Sequence, residues 1–190
     1  MHFFSNAIRK YGTGSGGTRN ISGNTILHES LEEDLARLHG KQAGLVFSSC
    51  YVANEASLHT IGTRLPNVEI FSDSGNHASM IHGIRTSRAK KTIYRHNDTE
   101  HLDKLLSQIP TESPKLVAFE TVHSMSGNIC PVEQLLHVCE KHNAFSFVDE
   151  VHAVGLYGHH GAGVAEKVGV MNRIDLISGT LGKVRYVNLS

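Results

Sequence analysis

FSFVDEVHAVG, residues 145–155, joins a short apolar run to a polar turn that ends in glycine. Its first part, FSFVDE (145–150), is apolar without strict alternation, as expected of a strand that is covered on both faces. Five more short runs are predicted to be strands on similar grounds: LVFSS (45–49), VEIFSD (68–73), KTIYRH (91–96), KLVAFE (115–120) and IDLISG (174–179). The chain is therefore predicted to be an α/β protein.

Helical patterns lie between these runs. HESLEEDLARLHG (28–40) carries leucines on one stripe, Asp98 caps TEHLDKLLSQI (99–109), and Pro131 opens VEQLLHVCEKH. Alternation of strands and helices predicts crossover units and a mostly parallel sheet with helices on both faces. Ligands bind such sheets at the carboxyl ends of strands, which points to Ser49, Asp73, Glu120 and Asp149.

Composition narrows the class of protein. The chain has 190 residues, enough for one domain, and its 18 basic and 18 acidic residues cancel. No charge block or aromatic platform indicates a nucleic-acid partner, and no run predicts a membrane span or secretory leader. The three cysteines are too few and scattered for a disulfide framework, and the 14 histidines lack zinc-ligand spacing, so we expect no metal.

The glycine-rich stretch YGTGSGGTRNISGN (11–24) departs from the alternating pattern. It lacks the spacing of a P-loop, and no predicted strand precedes it. It is either a flexible surface loop or a binding loop whose backbone approaches a ligand closely.

Three residues could carry chemistry near the end of the chain. Asp149 ends a buried strand, where a carboxylate needs a partner such as a protonated ring nitrogen, a backbone N–H or an arginine. His152 lies in the following turn and is either structural or able to bond a ring hydroxyl or pass a proton. Lys183 follows SGTLG and is either an ordinary surface lysine or, with a lowered pKa, able to form a Schiff base.

Four more segments are weaker candidates. SSCYVAN (48–54) is predicted to be a strand-to-helix turn whose N–H groups, near Cys50 and Tyr51, could bind an anion. His77 could stack on an aromatic cofactor, Ser124 could bond its hydroxyl, and Thr180 could contact a phosphate. Each also has a plain interpretation, as a capped helix, a capping histidine or loop chemistry.

Together these segments resemble the α-oxoamine synthase family of fold-type I pyridoxal phosphate enzymes. The resemblance runs from about Tyr11 to Lys183 and rests on seven motifs in family order: GSGGTRNISG, FSSCYVAN, SDSGNHASMIHGIR, RHND, AFETVHSMSG, VDEVHAVGLYG and SGTLGK. It implies a pyridoxal 5'-phosphate cofactor and condensation of glycine with succinyl-CoA to 5-aminolevulinate, CoA and carbon dioxide, the first step of haem biosynthesis. It also implies a homodimer with active sites at the subunit interface, in the mitochondrial matrix.

The resemblance also implies roles for individual residues. Lys183 would hold the cofactor covalently and remove the glycine α-proton, while Asp149 would pair with the ring nitrogen. The other residues facing the cofactor would be His152 and Ser124 at the ring hydroxyl, His77 stacked on the ring, and Thr180, Cys50 and Tyr51 at the phosphate. Residues facing the substrates would be Ser72 and Lys91 at succinyl-CoA, and Thr18, Asn20 and Ile21 reaching the succinyl end from the neighbouring subunit.

Departures from the family pattern define three expected parts of the chain. Residues 1–24 would be an N-terminal segment with the glycine-rich substrate loop, and residues 25–183 a partial cofactor-binding large domain. Residues 184–190, VRYVNLS, would be an aberrant tail. We expect a chain truncated at both ends, lacking a targeting segment and inactive alone. The alternatives are glycine C-acetyltransferase or another α-oxoamine synthase, or a non-catalytic fragment that dimerises or regulates. A Rossmann dinucleotide binder is disfavoured because no GxGxxG motif follows a strand.

Overall fold

Five short strands, all parallel, form the central sheet. A computed structural model describes residues 2–183, so the predicted tail at 184–190 lies outside the described residues. The strands are β1 (Glu69–Asp73), β2 (Lys90–Tyr94), β3 (Lys115–Glu120), β4 (Phe145–Asp149) and β5 (Leu176–Ser178), in the order β2-β1-β3-β4-β5. The predicted parallel α/β architecture is confirmed.

Helices connect these strands, as the alternating pattern predicts, and three more precede the first strand. They are α1 (His2–Tyr11), α2 (Ile26–Leu38), α3 (Cys50–Arg64), α4 (Ala78–Ser87), α5 (Thr99–Leu106), α6 (Val132–Lys141) and α7 (Val164–Lys167), with a π-helical turn at Arg19–Gly23 and a 3-10 turn at Met171–Arg173. Asp98 caps α5 by accepting a hydrogen bond from the His101 N–H at 2.8 Å. Within residues 2–183, no helix has the length and hydropathy that crossing a bilayer would require.

The two faces of the sheet pack against different helices. Val117 and Phe119 of β3 belong to one core with residues of α5 and α6, whereas Leu116 and Ala118 belong to a second core with residues of α3 and α4. Because side chains alternate along a strand, Glu120 at the end of β3 faces α3 and α4. Asp149 is paired with Glu120 in register and faces the same side. The alternation therefore places two carboxylates together at one sheet edge.

The predicted strand at residues 45–49 is wrong. Side chains satisfy its backbone instead of a neighbouring strand: the Val46 N–H donates to Glu32 Oε1 at 2.7 Å, and Arg19 Nη1 donates to the Val46 carbonyl at 3.0 Å. Arg19 and Glu32 also form an ion pair at 2.6 Å. SSCYVAN is therefore a loop-to-helix turn, in which the Ser49 hydroxyl caps α3 by accepting from the Val52 N–H at 3.3 Å.

Candidate functional site

A cavity of about 240 Å³ opens where β3, β4 and β5 end and α3 and α4 begin. Its walls contain seven of the predicted cofactor residues: Cys50, Tyr51, His77, Asp149, His152, Thr180 and Lys183. Asn54, Ser79, Glu120 and Val151 complete the lining. The cavity lies at the carboxyl ends of parallel strands, where the topology predicts a ligand.

Asp149 lies at the floor of this cavity and is only 4% exposed. Its Oδ1 accepts from the Val151 N–H and its Oδ2 from Asn54 Nδ2, both at 2.8 Å. Burial raises the pKa of the Asp149 carboxyl to about 6, the two hydrogen bonds oppose that rise, and the Glu120 charge adds to it. A buried carboxylate held in this way is suited to a cationic partner in the cavity.

Lys183 and His152 meet at the mouth of the cavity. The Lys183 Nζ lies 2.7 Å from His152 Nε2. Burial lowers the pKa of His152, and the nearby positive charge of Lys183 lowers it further. A neutral imidazole can accept a hydrogen bond from the lysine ammonium, so His152 orients the Lys183 amino group.

Two rings and a helix start form the remaining wall. His77 precedes α4, and its ring centroid lies 6.3 Å from that of Tyr51 in an edge-on arrangement. Cys50 and Tyr51 begin α3, where backbone N–H groups have no intrahelical acceptor and favour an anion. Burial raises the pKa of the Cys50 thiol to about 12, so no thiolate competes with that anion.

Six other predicted residues do not line the cavity. Ser124 lies closest, because its backbone N–H donates to Glu120 Oε2 at 2.9 Å. Ser72 is buried on β1 and accepts from Asn76 Nδ2 at 2.9 Å, whereas Lys91 is exposed on the edge strand β2. The remaining three are exposed in the glycine-rich segment: Thr18, Asn20 and Ile21. Their roles remain predictions.

Sequence reasoning assigns no role in the site to two buried polar lining residues, Asn54 and Ser79. Asn54 follows Cys50 by four residues, a spacing that places both on one helix face. Ser79 follows His77 by two residues at the start of α4. Glu120 also lines the cavity, as its predicted place at the carboxyl end of a strand indicates. Helical spacing could have identified Asn54, but its contact with Asp149 depends on tertiary packing.

The residues present fit pyridoxal phosphate. The α3 N-terminus and the Thr180 hydroxyl match an anionic group, Asp149 matches a protonated ring nitrogen, and Lys183 supplies an amino group for an aldehyde. Two buried oxygens in the lining, Asn54 Oδ1 and Glu120 Oε1, have no hydrogen-bond partner among residues 2–183. Unpaired buried oxygens cost free energy, and both belong to residues that line this cavity.

Two curated relatives are similar to this chain over 93% of its length. The 5-aminolevulinate synthase, erythroid-specific, mitochondrial, of Danio rerio is 62% identical over 177 residues, and the 5-aminolevulinate synthase, non-specific, mitochondrial, of Gallus gallus is 58% identical over 176 residues. The chain spans 30% and 28% of the lengths of these relatives.

A solved structure and a family model agree with these relatives. The serine palmitoyltransferase of S. paucimobilis with bound PLP–myriocin superposes with a TM-score of 0.85 at 36% identity, covering 94% of this chain and 44% of that one. Together with the lining residues, this neighbour and the family support pyridoxal phosphate as the cofactor. The family model described as "Aminotransferase class I and II" matches residues 3–185, and the chain therefore belongs to the aminotransferase class I and II family of pyridoxal phosphate enzymes.

Proposed function

We propose that this chain forms the cofactor-binding part of a 5-aminolevulinate synthase, which condenses glycine with succinyl-CoA to give 5-aminolevulinate, CoA and carbon dioxide. The observation that carries the proposal is the single cavity that holds Asp149 at its floor and Lys183, with Nζ 2.7 Å from His152, at its mouth. Support for the specific reaction comes from the curated relatives, which bear that name at 57–62% identity.

Asp149, Lys183 and His152 would carry the chemistry. When bound, the cofactor supplies an electron sink for the charge left on glycine after loss of its α-proton. Asp149 would accept a hydrogen bond from the protonated ring nitrogen and so preserve that sink. Lys183 would hold the cofactor covalently until the glycine amine displaces its Nζ, which would then be free to take the α-proton. His152 Nε2, at 2.7 Å, would accept a hydrogen bond from that Nζ and orient it.

The remaining lining residues would bind and orient the cofactor. The Cys50 and Tyr51 N–H groups at the α3 N-terminus would bind its phosphate, together with the Thr180 hydroxyl. His77 would stack on the ring, and Ser124 with His152 would bond the ring hydroxyl. These contacts would position the cofactor and contribute to its affinity. Proton transfer would be carried out by Lys183.

The substrates would be held by residues outside the cavity and by a second subunit. Ser72 and Lys91 would contact succinyl-CoA, and Thr18, Asn20 and Ile21 would reach its succinyl end from the partner of a homodimer. On this proposal, residues 1–24 form the substrate segment and residues 25–183 a partial large domain. The relatives are named mitochondrial, which supports a mitochondrial location, and the proposal places the protein in the matrix.

Cofactor binding can be tested with the chain alone. Titration with pyridoxal phosphate is expected to produce a visible absorption band, and borohydride reduction should fix the cofactor on Lys183. Lys183→Ala should lose both signals, while Lys167→Ala, at an exposed lysine outside this cavity, should keep them. Fixation on another lysine would contradict the assignment.

The acyl donor needs a separate measurement. Residues 11–183 would replace the matching segment of the Danio rerio relative, and turnover with glycine would be measured with succinyl-CoA and acetyl-CoA. Preference for succinyl-CoA is expected. Preference for acetyl-CoA would favour glycine C-acetyltransferase, and a chimera that binds cofactor without turnover would favour a non-catalytic role.

A further inference from the structure

Four polar side chains form a continuous hydrogen-bonded chain beneath the cavity. Asp149 Oδ2 lies 2.8 Å from Asn54 Nδ2, which lies 3.1 Å from Ser79 Oγ, which in turn lies 2.7 Å from His77 Nδ1. The two middle members are inaccessible to solvent, with Asn54 1% and Ser79 0% exposed. The chain links α3 and α4 to the end of β4 and joins the candidate ring-nitrogen partner to the candidate stacking residue.

The direction of every hydrogen bond in this chain follows from counting donors. The Ser79 backbone N–H donates to His77 Nδ1 at 3.2 Å, and a backbone N–H cannot accept, so Nδ1 is an acceptor. The Ser79 hydroxyl then directs its one hydrogen at the same nitrogen and accepts from Asn54. Asn54 Nδ2 has two hydrogens, one for Ser79 Oγ and one for Asp149.

The orientation of the Asn54 amide is fixed by the Asp149 charge. A flipped amide would place Oδ1 against the carboxylate, whereas the observed orientation gives a charge-assisted hydrogen bond. The consequence is that Asn54 Oδ1 is left without a partner among the described residues. The same amide orientation that lets Asn54 Nδ2 donate to Asp149 therefore leaves Asn54 Oδ1 buried and unpaired.

We propose that Asn54 and Ser79 are positioning residues that fix the hydrogen arrangement of the ring-binding cavity before the ligand arrives. The inference rests on the proposed function. The network holds Asp149 as an acceptor and His77 in the tautomer with its hydrogen on Nε2. A neutral imidazole can stack on a ring whose nitrogen is protonated without like-charge repulsion. The cofactor then meets two groups whose hydrogen-bonding roles are already set.

The tautomer of His77 can be measured in the ligand-free chain. Nitrogen-15 NMR of histidine-labelled chain, with the His77 resonances assigned by their loss in His77→Gln, is expected to show a hydrogen on Nε2 and none on Nδ1. A hydrogen on Nδ1 would overturn the proposal. Because no cofactor is present, this result is independent of whether the proposed function is correct.

The positioning effect of Asn54 has a matched control. Asn76 is also buried, donates to Ser72 Oγ at 2.9 Å and the Ala118 carbonyl at 2.8 Å, and has its own unpaired Oδ1, but it does not line the cavity. Loss of a hydrogen bond to a charged group predicts that Asn54→Leu weakens pyridoxal phosphate binding about 10- to 100-fold. Asn76→Leu should bind like the unmodified chain. Equal affinity in the two variants would overturn the proposal.

A second pair of variants covers the case in which Asn54→Leu does not fold. Ser79→Ala is expected to move the His77 Nδ1 resonance, because the nitrogen loses its hydroxyl donor. Ser87→Ala, at a buried serine of the same helix that donates to the Ile84 carbonyl at 2.7 Å, should leave that resonance in place. A His77 resonance unchanged in Ser79→Ala would contradict the network.

Discussion

At the residue scale, Asp149 shows how one side chain can cost stability and favour binding. Burial raises the pKa of its carboxyl from 3.8 to about 6, so the folded chain binds this proton more tightly than the unfolded chain does. The stability that this group contributes is complete below pH 3.8 and is lost as the pH rises through about 6. A cation bound beside the carboxylate would offset the loss.

Asp149→Asn should remove this pH dependence. Between pH 4 and pH 7 the ligand-free chain is expected to lose roughly 2 kcal/mol more unfolding free energy than the variant, since one pKa unit corresponds to about 1.4 kcal/mol and pH 4 already lies above the unfolded pKa. Urea unfolding at both pH values measures the difference. Asp34→Asn, at an exposed position on α2, is the control and should follow the unmodified chain. Parallel curves for Asp149→Asn and the unmodified chain would show that the buried carboxyl is not the cause.

At the scale of elements, α7 depends on one buried carboxylate. Glu150 Oε1 accepts from the Ala165 N–H at 2.8 Å, and Oε2 accepts from the Val164 N–H at 3.1 Å and from the Thr121 hydroxyl at 2.5 Å. Consecutive strand-end residues point to opposite faces, so Asp149 faces the cavity while Glu150 caps a helix. Both carboxylate oxygens of Glu150 therefore have hydrogen-bond donors, whereas Glu120 Oε1 has none among residues 2–183.

Gly163, which precedes α7, should be intolerant of a side chain. Its φ is +116°, and an added Cβ would lie 2.6 Å from the Glu150 carboxylate. Gly169 has φ +76° and no atom within 4 Å of the added Cβ, so Gly169→Ala reports backbone strain alone. We expect Gly163→Ala to lose about 1–3 kcal/mol more stability than Gly169→Ala, because crowding adds to a backbone conformation (φ +116°, ψ −170°) that is almost restricted to glycine. Urea denaturation measures the unfolding free energy of both variants. Equal losses would mean that the Glu150 carboxylate moves without cost to make room for the added methyl group.

The structured segment before α3 should depend on Glu32. Its carboxylate holds the Val46 N–H and the Arg19 guanidinium, which itself binds the Val46 carbonyl. Glu32→Ala is expected to speed amide hydrogen exchange at residues 44–49, because the Val46 N–H loses its acceptor and Arg19 loses the ion pair that holds it at the Val46 carbonyl. Glu33→Ala, at a neighbouring exposed position of α2, should not change exchange there. Unchanged protection in Glu32→Ala would contradict this dependence.

At the scale of the whole molecule, the sequence predicts contacts that depend on local pattern and fails where distant residues decide. Five of the six predicted strands follow from short runs rich in apolar and β-branched residues, and Asp149 and Lys183 follow from the ends of two of them. The sixth run lacks a strand partner because Arg19 and Glu32 bind its backbone, a contact that no local pattern contains. Asn54 was missed for the same reason, since its partner lies 95 positions away.

The distribution of exposed apolar side chains predicts association with a second copy of the chain. Nine large apolar residues between positions 4 and 52 are exposed, compared with three between positions 53 and 120 (Leu65, Ile81 and Ile93) and seven over the longer range 121–183. Ile21 is 83% exposed and lies in the segment proposed to reach a neighbouring subunit. Contact with that subunit would bury its side chain. Burying such a side chain contributes about 1.5–3 kcal/mol, so Ile21→Asp should weaken self-association at least about 10-fold in sedimentation equilibrium. Met125→Asp, at an 89% exposed residue far along the chain, controls for added charge and should leave association unchanged. Equal weakening by both substitutions, or a monomer at every concentration, would mean that the apolar N-terminal surface does not bind a second copy.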